Sequence, residues 1–408
     1  MANPIVGKKI VLGVTGSIAA YKAADIASKL SQQGAQVTAI LTQPALEFVS
    51  PLTFQSVTGV KAYVDEDLWG GEGHVVHVQI GHTTDLLVIA PASANTIAKL
   101  ANGLADNLLT VTALAAACPI LIAPAMDAGM YGHPATQKNI EVLKSRGVYF
   151  IGPDEGHLAS GLVGPGRMSE PSETAGFVRW LLSRNNPLKG KKIVITAGGT
   201  REAIDPVRYI SNRSSGKQGY ALAQAALDYG AEVTLISTPT NLREPYRCHL
   251  AQVQSADEMY NAVMSEIEDA NALIMSAAVA DFKPSEFHEE KIKKDKGIDA
   301  IKLTRTRDII AEAAKMKREK NLNLKIIGFA AESENLKNNA KKKMTEKEMD
   351  MIVANNITEP QAGFSVDTNK VLLMFADGSV EQLPLLQKSE VSEKVIQHLA
   401  SWLMEGAG

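Results

Sequence analysis

Hydrophobic residues in this chain fall into two alternating patterns, short unbroken runs and longer stretches where apolar positions recur at helical spacing. The first suits strands buried on both faces of a parallel sheet, and the second suits helices covering such a sheet. Lys9 to Ser17 predicts a buried strand ending in a small-residue turn, about Ile18 to Gln33 a helix, and Gln36 to Thr42 a second strand. The plan returns at Lys192 to Gly199, followed by a helix ending near Tyr229 and Gly230. Gly230-Ala231-Glu232-Val233-Thr234 then echoes Gly34-Ala35-Gln36-Val37-Thr38. Each half opens with a strand–helix–strand unit. The pattern predicts an α/β fold of two Rossmann-like domains with mainly parallel sheets, residues 1–186 and 187–408, with Ser183 to Pro187 as linker.

The first half continues with predicted strands at Asp85 to Ala90 and Ile120 to Ala123, and helices around Asn95 to Leu100, Ala135 to Arg146 and Ser172 to Leu182. Gly152 to Gly166 has too little periodicity for an element and reads as a flap or surface loop. In the second half, helices are predicted at Asp257 to Ile267, from near Asp308, and at Glu334 to Lys347. Strands are predicted at Ala272 to Ala277, Lys325 to Phe329 and Met351 to Asn355. A hairpin around Asp377-Gly378 and an amphipathic helix from Glu390 to Met404 close the chain. Lys9 to Gly34 spans 25 positions and Lys192 to Gly230 spans 38, so the second unit carries 13 more. They form the insertion TREAIDPVRYISN, at the strand end where open α/β sheets bind ligands.

At 408 residues the chain exceeds one ordinary core, and 45% hydrophobic with 21% charged residues is a globular composition. A net charge of −3 argues against nucleic acid as a partner. Cys118 and Cys248 are the only cysteines, too few for a disulfide framework or a paired metal-ligand spacing. The start MANPIVGKK lacks a signal-peptide core. Leu109 to Met126, interrupted by Pro119 and Pro124, reads as helix then buried strand, with no membrane span. A cytoplasmic location is expected.

Candidate chemistry gathers at strand ends. Gly198-Gly199-Thr200, and later Ser214-Ser215-Gly216-Lys217 leading into a helix, offer close backbone approach and unpaired N–H groups to a phosphate. Neither standard nucleotide fingerprint is met: Ser211 stands where a P-loop needs glycine, Gln218 follows Lys217, and no G-x-G-x-x-G opens the helix. Three polar islands in the first half, Thr15 to Ser17, Ala90 to Thr96 and Pro124 to Tyr131, favour a phosphorylated cofactor. His74, His77 and His82 cluster, yet no acidic or cysteine ligand set accompanies them, so a general base is the better reading for one.

Gly16-Ser17-Ile18-Ala19-Ala20-Tyr21-Lys22, His77-Val78-x-Ile80, Ala90 to Thr96 and Pro124-Ala-Met-Asp-x-x-Met130 resemble the homo-oligomeric flavin-containing cysteine decarboxylases. AGGTREAIDPVRYISNRSSGKQG, Ala277 to Asp281 and Gly328 to Glu332 resemble phosphopantothenoylcysteine synthetase. The fused order is similar to the bifunctional coenzyme A biosynthesis family over nearly the whole chain. For the first half the resemblance implies FMN bound through Gly16, Ser17, Thr42, Ser93, Ala94, Asn95 and Met126. His77 would be the base, with Asp127 and Ser160 facing the substrate. The flavin would oxidise the cysteine moiety of 4′-phosphopantothenoylcysteine, ease loss of CO₂, and be reoxidised as 4′-phosphopantetheine forms.

For the second half it implies ligation of 4′-phosphopantothenate to cysteine through an acyl cytidylate, with CTP as co-substrate and Mg²⁺ or Mn²⁺. CTP would meet Gly199, Ser214, Ser215, Gly216, Met275, Ser276, Ala277 and Asp281, the last also touching the metal. Lys291, Lys343 and Lys347 would face its phosphates, Arg307, Asp308, Ile309 and Ile310 its base, and Phe329 would pack on the cytosine. Asn212 would polarise the acyl cytidylate. A homo-oligomer is implied, trimeric through decarboxylase domains and dimeric through ligase domains.

The family motif usually has Asn where this chain has Asp127, implying either a protonated Asp127 with a raised pKa or a different contact. The flap usually has Cys where Ser160 stands. A second reading is therefore an active ligase fused to a flavin-binding half impaired in decarboxylation. A third, a dinucleotide oxidoreductase, is disfavoured by the missing G-x-G-x-x-G and the long insertion.

Overall fold

The computed structural model describes residues 3–69, 75–293, 300–332, 334–356 and 366–405. The chain divides into two compact units, Ala2–Leu182 and Ser183–Gly408.

In the first unit five parallel strands lie in the order Gln36–Leu41, Lys9–Val14, Leu86–Ala92, Ile120–Pro124, Tyr149–Phe150. The central ones are buried almost end to end, as unbroken apolar runs require when helices cover both faces. Gly13 has no Cβ because the Leu109 side chain occupies that space. Val11, Leu87 and Ile122 pack with Ile97, Leu108 and Ile140 from the covering helices. Helix starts are written locally: Ser93 accepts from the Thr96 amide and Asn107 from the Thr110 amide, fixing Ala94–Asn102 and Leu108–Ala115. The region from Leu109 to Met126 is helix then strand as expected, and no described helix is long and apolar enough to cross a membrane.

Gly152 to Gly166 corrects the expectation of no element. Asp154–His157 and Val163–Arg167 pair as an antiparallel hairpin. Its ladder is carried by the backbone, with Gly156 opposite Gly164, so no side-chain alternation marks it in the sequence. The carbonyl of Gly166 accepts from the Met126 amide at 3.0 Å, docking the hairpin beside the sheet edge.

The second unit holds an eight-stranded sheet. Six parallel strands run His249–Gln252, Glu232–Ser237, Lys192–Ala197, Ala272–Met275, Lys325–Glu332, Met351–Asn356, and Val371–Phe375 and Val380–Gln382 add antiparallel at one edge. Alternate residues point to opposite faces. Ile193 and Ile195 meet Leu222, Val395 and Leu399 on one side, while Val194 and Leu273 meet Met259, Val263 and Ile326 on the other. The insertion read as a loop is itself a small hairpin, Arg201–Ala203 with Tyr209–Ser211. Phe282–Pro284 with Leu303–Arg305 forms another. Lys294 and Lys296 of the lysine run, and His74, lie outside the described residues.

Candidate functional site

Both sheets reverse direction of growth beside their first strand, the place where open α/β sheets bind ligands at the carboxyl ends. In the second unit the reversal lies between Lys192–Ala197 and Ala272–Met275. Beyond them Gly199 and Ala278 bridge, Ala278 N–H donates to Gly198 O at 2.8 Å, and Ala277 N–H to the buried Thr196 hydroxyl at 3.1 Å. These bonds hold the turn Ser276 to Val279 open to a cavity of about 940 Å³.

One wall of the cavity is the start of helix Lys217–Asp228. Its N-cap is Gly216 in the left-handed region at φ 77°, with no side-chain cap. The first-turn amides are therefore offered to a ligand, with Ser214 and Ser215 alongside. Gly219 lets this helix press onto its strand: an added Cβ would lie 2.5 Å from Ala197 Cβ. Asn212 donates from Nδ2 to Ala278 O at 3.2 Å and Val279 O at 3.1 Å, clamping the insertion over the turn.

The opposite wall carries Arg307, Asp308, Ile309, Ile310 and the half-buried Phe329. Asp308 caps helix Ile309–Glu319 through the Ala311 amide and pairs with Lys347 at 2.8 Å, and Lys343 pairs with Glu332 at 2.6 Å. Lys347 is the C-cap of Leu336–Glu346, one residue beyond the helix expected to include it. The Arg307 guanidinium stacks on Tyr260, 4.6 Å from its centroid. Met275, Ser276, Ala277 and Asp281 also line the cavity, and Asp281 O accepts from Thr306 N–H.

Two predicted contacts lie elsewhere. Gly199 is buried behind the wall, where an added Cβ would meet Asn212 O at 2.7 Å, so its smallness serves backbone packing. Lys291 is exposed and outside the lining. Its neighbour Ile292 is tied through N–H to Asp205 and through its carbonyl to Arg208. Asp205 also accepts from the Val207 and Arg208 amides. The Arg208 guanidinium first, and these amides after it, hold the carboxyl far below the usual carboxylate range.

Sequence reading missed Asn355, Gln218 and Lys388 as lining groups. The side-chain oxygens of Ser276, Asn355 and Gln218 are buried without a hydrogen-bond partner, as polar walls are when a ligand is to complete them. Asn355 was findable as a polar residue closing an apolar strand, whereas nothing local marks Lys388. Among the described residues no cluster of three or more His, Cys, Asp or Glu is placed to hold a metal.

In the first unit Thr15, Thr42 and Ser93 follow three adjacent strands. Thr15 Oγ donates to Pro91 O and accepts from Ser93 N–H at 2.9 Å, and Thr42 N–H donates to Val14 O. Gly16 passes close to Pro44, with 2.6 Å left for a Cβ, and Ser17 precedes helix Ala20–Gln32, which has no side-chain cap. Ala94 and Asn95 open helix Ala94–Asn102 on the same edge, and Met126 and Asp127 follow Ile120–Pro124. His77 sits on the helix Val76–Thr83, which the sequence pattern missed, and its Nδ1 is buried without a partner.

The family pattern described as DNA/pantothenate metabolism flavoprotein C-terminal domain matches residues 188–403, and that described as flavoprotein matches 2–182. The coenzyme A biosynthesis bifunctional protein CoaBC of Bacillus subtilis (strain 168) is 45% identical over 397 residues, 97% of each chain. The chain belongs to the bifunctional coenzyme A biosynthesis family. CoaBC of Escherichia coli (strain K12) is 40% identical over 402 residues, 97% of this chain and 98% of the relative. A crystal structure of the C-terminal domain of a CoaBC protein is 41% identical, covers 54% of this chain and 100% of that one, and gives a TM-score of 0.47.

The two departures from the coenzyme A family's motifs meet in space. Ser160, at the exposed hairpin tip, donates its hydroxyl to Asp127 Oδ2 at 2.6 Å. That bond first, and the Gly129 amide second, hold the Asp127 carboxyl below its ordinary range. Without substrate the shift is thus downward, and the contact that Asp127 makes is with Ser160.

Proposed function

We propose that the second half, residues 187–408, joins 4′-phosphopantothenate to cysteine with CTP, and that the first half, residues 1–186, decarboxylates the product to 4′-phosphopantetheine. The observation that carries the ligase reading is the 940 Å³ cavity at the sheet reversal. An uncapped helix start, four lysines and three partnerless polar atoms converge on it.

The amides of Gly216 and Lys217 bind phosphate oxygens, while Lys343 and Lys347 exchange Glu332 and Asp308 for the triphosphate. Phe329 and the Asp308 to Ile310 segment enclose the base. Asn212 keeps the insertion seated over the reacting carboxyl group. The wall offers Asp281 as a carboxylate, which fits a divalent cation arriving on the nucleotide phosphates better than one caged by protein.

In the first half the uncapped start of helix Ala20–Gln32, with Ser17 and the cramped Gly16 turn, fits the phosphate of FMN, and Thr42, Ser93, Ala94, Asn95 and Met126 edge the same crevice. When bound, FMN supplies the two-electron oxidation that makes loss of CO₂ easy. His77, with Nδ1 buried and unpartnered, takes the proton; Ser160, oriented by Asp127, closes the site from the hairpin.

Ile18 and Tyr21 at one helix start, and Leu52 on the adjoining Pro51–Thr58 helix, leave apolar surface exposed. That supports a homo-oligomer joined through this half, and the family resemblance adds trimers of this half and dimers of the ligase half. The small-molecule chemistry suits the cytoplasm. Purified protein given 4′-phosphopantothenate, CTP and Mg²⁺ should release CMP only when cysteine is added, and chelating the metal should abolish this. CMP formation independent of cysteine, or a colourless protein that releases no FMN on denaturation, would refute the reading.

A further inference from the structure

Between the strand Leu303–Arg305 and the helix Ile309–Glu319 the chain crosses the wall of the ligase cavity as three residues, Thr306, Arg307 and Asp308, all of which line it. So short a linker is placed by what its side chains hold. Thr306 donates from N–H to Asp281 O at 3.0 Å and from its hydroxyl to Ala280 O at 2.6 Å, and Asp308 reaches Lys347 at 2.8 Å. Between these ties Arg307 meets the helix Ala256–Glu266. Its guanidinium lies 4.6 Å from the Tyr260 ring centroid, and its Nε is 4.0 Å from Asp257 Oδ1.

Tyr260 and Asp257 are not among the described residues that line the cavity. Tyr260 is half-buried and packs against the cluster containing Met259, Val263, Ile309 and Ala313, so its ring is a fixed platform. Asp257, in the first turn of its helix, also pairs with Lys283 of the strand Phe282–Pro284, the antiparallel neighbour of Leu303–Arg305. The hairpin and the linker that leaves it are thus held to one helix. A cation on a ring face and an exposed ion pair are each modest, and their joint effect falls on a segment with no ladder of its own.

We propose that Tyr260 and Asp257 are positioning residues for nucleobase selection: by clamping Arg307 they set where the linker meets the base. The inference rests on the ligase reading, in which Arg307 to Ile310 surround the base, while Lys343, Lys347 and the start of helix Lys217–Asp228 hold the triphosphate. A fixed wall rejects a base whose donors and acceptors it leaves unpaired, whereas a wall free to shift accommodates either base. The clamp therefore governs discrimination between bases and leaves the grip on phosphate alone.

The test is Tyr260→Leu in the full chain, with Tyr260→Phe, which keeps the ring face, as control. Calorimetric titration with CTP and with UTP, which differ only in the base, reads the preference without turnover, and titration with inorganic pyrophosphate reads the phosphate grip. Tyr260→Leu should reduce the preference for CTP over UTP about fivefold, through weaker CTP binding, with pyrophosphate affinity unchanged. Tyr260→Phe should retain the preference, and Asp257→Asn should reduce it by a smaller factor. A merely structural weakening would lower the affinity for both nucleotides by one factor and leave their ratio as it was. An unchanged ratio in Tyr260→Leu, an equal loss of pyrophosphate affinity, or equal binding of CTP and UTP by the unmodified protein would overturn the clamp. Absence of CMP formation by the unmodified protein would instead sink the ligase reading, and the titrations would still judge the clamp.

Discussion

Replacing Gly219 by alanine separates helix propensity from packing, because the two oppose each other. Gly219 is the third residue of helix Lys217–Asp228, where alanine is ordinarily favoured by roughly 0.5–1 kcal/mol. Here an added Cβ would sit 2.5 Å from Ala197 Cβ, 2.8 Å from Thr196 O and 3.0 Å from Ala197 Cα. Carbon contacts relax near 3.5–4 Å, and two of these neighbours are backbone, so the helix must lift by about 1 Å. Overpacking costs about 1–3 kcal/mol, and backbone neighbours put Gly219→Ala at the upper end. The net loss is about 2 kcal/mol, or roughly 4–8 °C in Tm for a unit of this size. The Gly216 and Lys217 amides move with the helix, and a displacement of about 1 Å at a positioned site costs on the order of 10²-fold in rate. Thermal denaturation and CMP release measure the two effects. CO₂ release from supplied 4′-phosphopantothenoylcysteine should stay unchanged. A variant with higher Tm and full CMP release would refute the claim that the helix start is pressed onto the strand to face the nucleotide.

Three further outcomes are expected. His77→Asn should lower CO₂ release about 10²–10⁴-fold while CMP release persists, and equal loss of both would contradict the division of labour. Asp127, with its pKa depressed, contributes fully above the ordinary aspartate value near 3.9, and loses its charge as pH falls through the lowered one. Ser160→Ala removes the largest cause of that depression, so the acid limb of the CO₂ pH profile should move to higher pH; an unmoved limb would show that the Ser160–Asp127 bond does not set it. Asp205→Ala unties Ile292 and should raise the KM for CTP on the order of tenfold, provided the Lys291 segment reaches the nucleotide from the position Asp205 gives it. An unchanged KM would remove Lys291 from the site.

The parallel strands were legible because burial on both faces writes itself as unbroken apolar runs, and the repeated opening located the first strand of each sheet, beside which the strand order reverses. Two kinds of feature were not. The hairpins at Asp154–His157 with Val163–Arg167 and at Arg201–Ala203 with Tyr209–Ser211 are held by main-chain ladders, which leave little hydrophobic alternation. Long-range pairings are also silent: Ser160 and Asp127 lie 33 positions apart, and Lys217 and Asp367 150. Motifs located Ser276 and Phe329, but that Gly199 packs behind the wall and Lys291 lies off it depends on how the insertion folds back over its strand.

The central claim is that one chain performs ligation and then decarboxylation. A single reaction with 4′-phosphopantothenate, carboxyl-labelled cysteine, CTP and Mg²⁺ follows CMP and labelled CO₂ together from the yellow protein. CMP should lead and CO₂ follow to the same final amount, with His77, Asp127 and Ser160 as they stand. CMP reaching completion with no labelled CO₂ would contradict it, leaving a ligase joined to a flavin-binding half that does not decarboxylate.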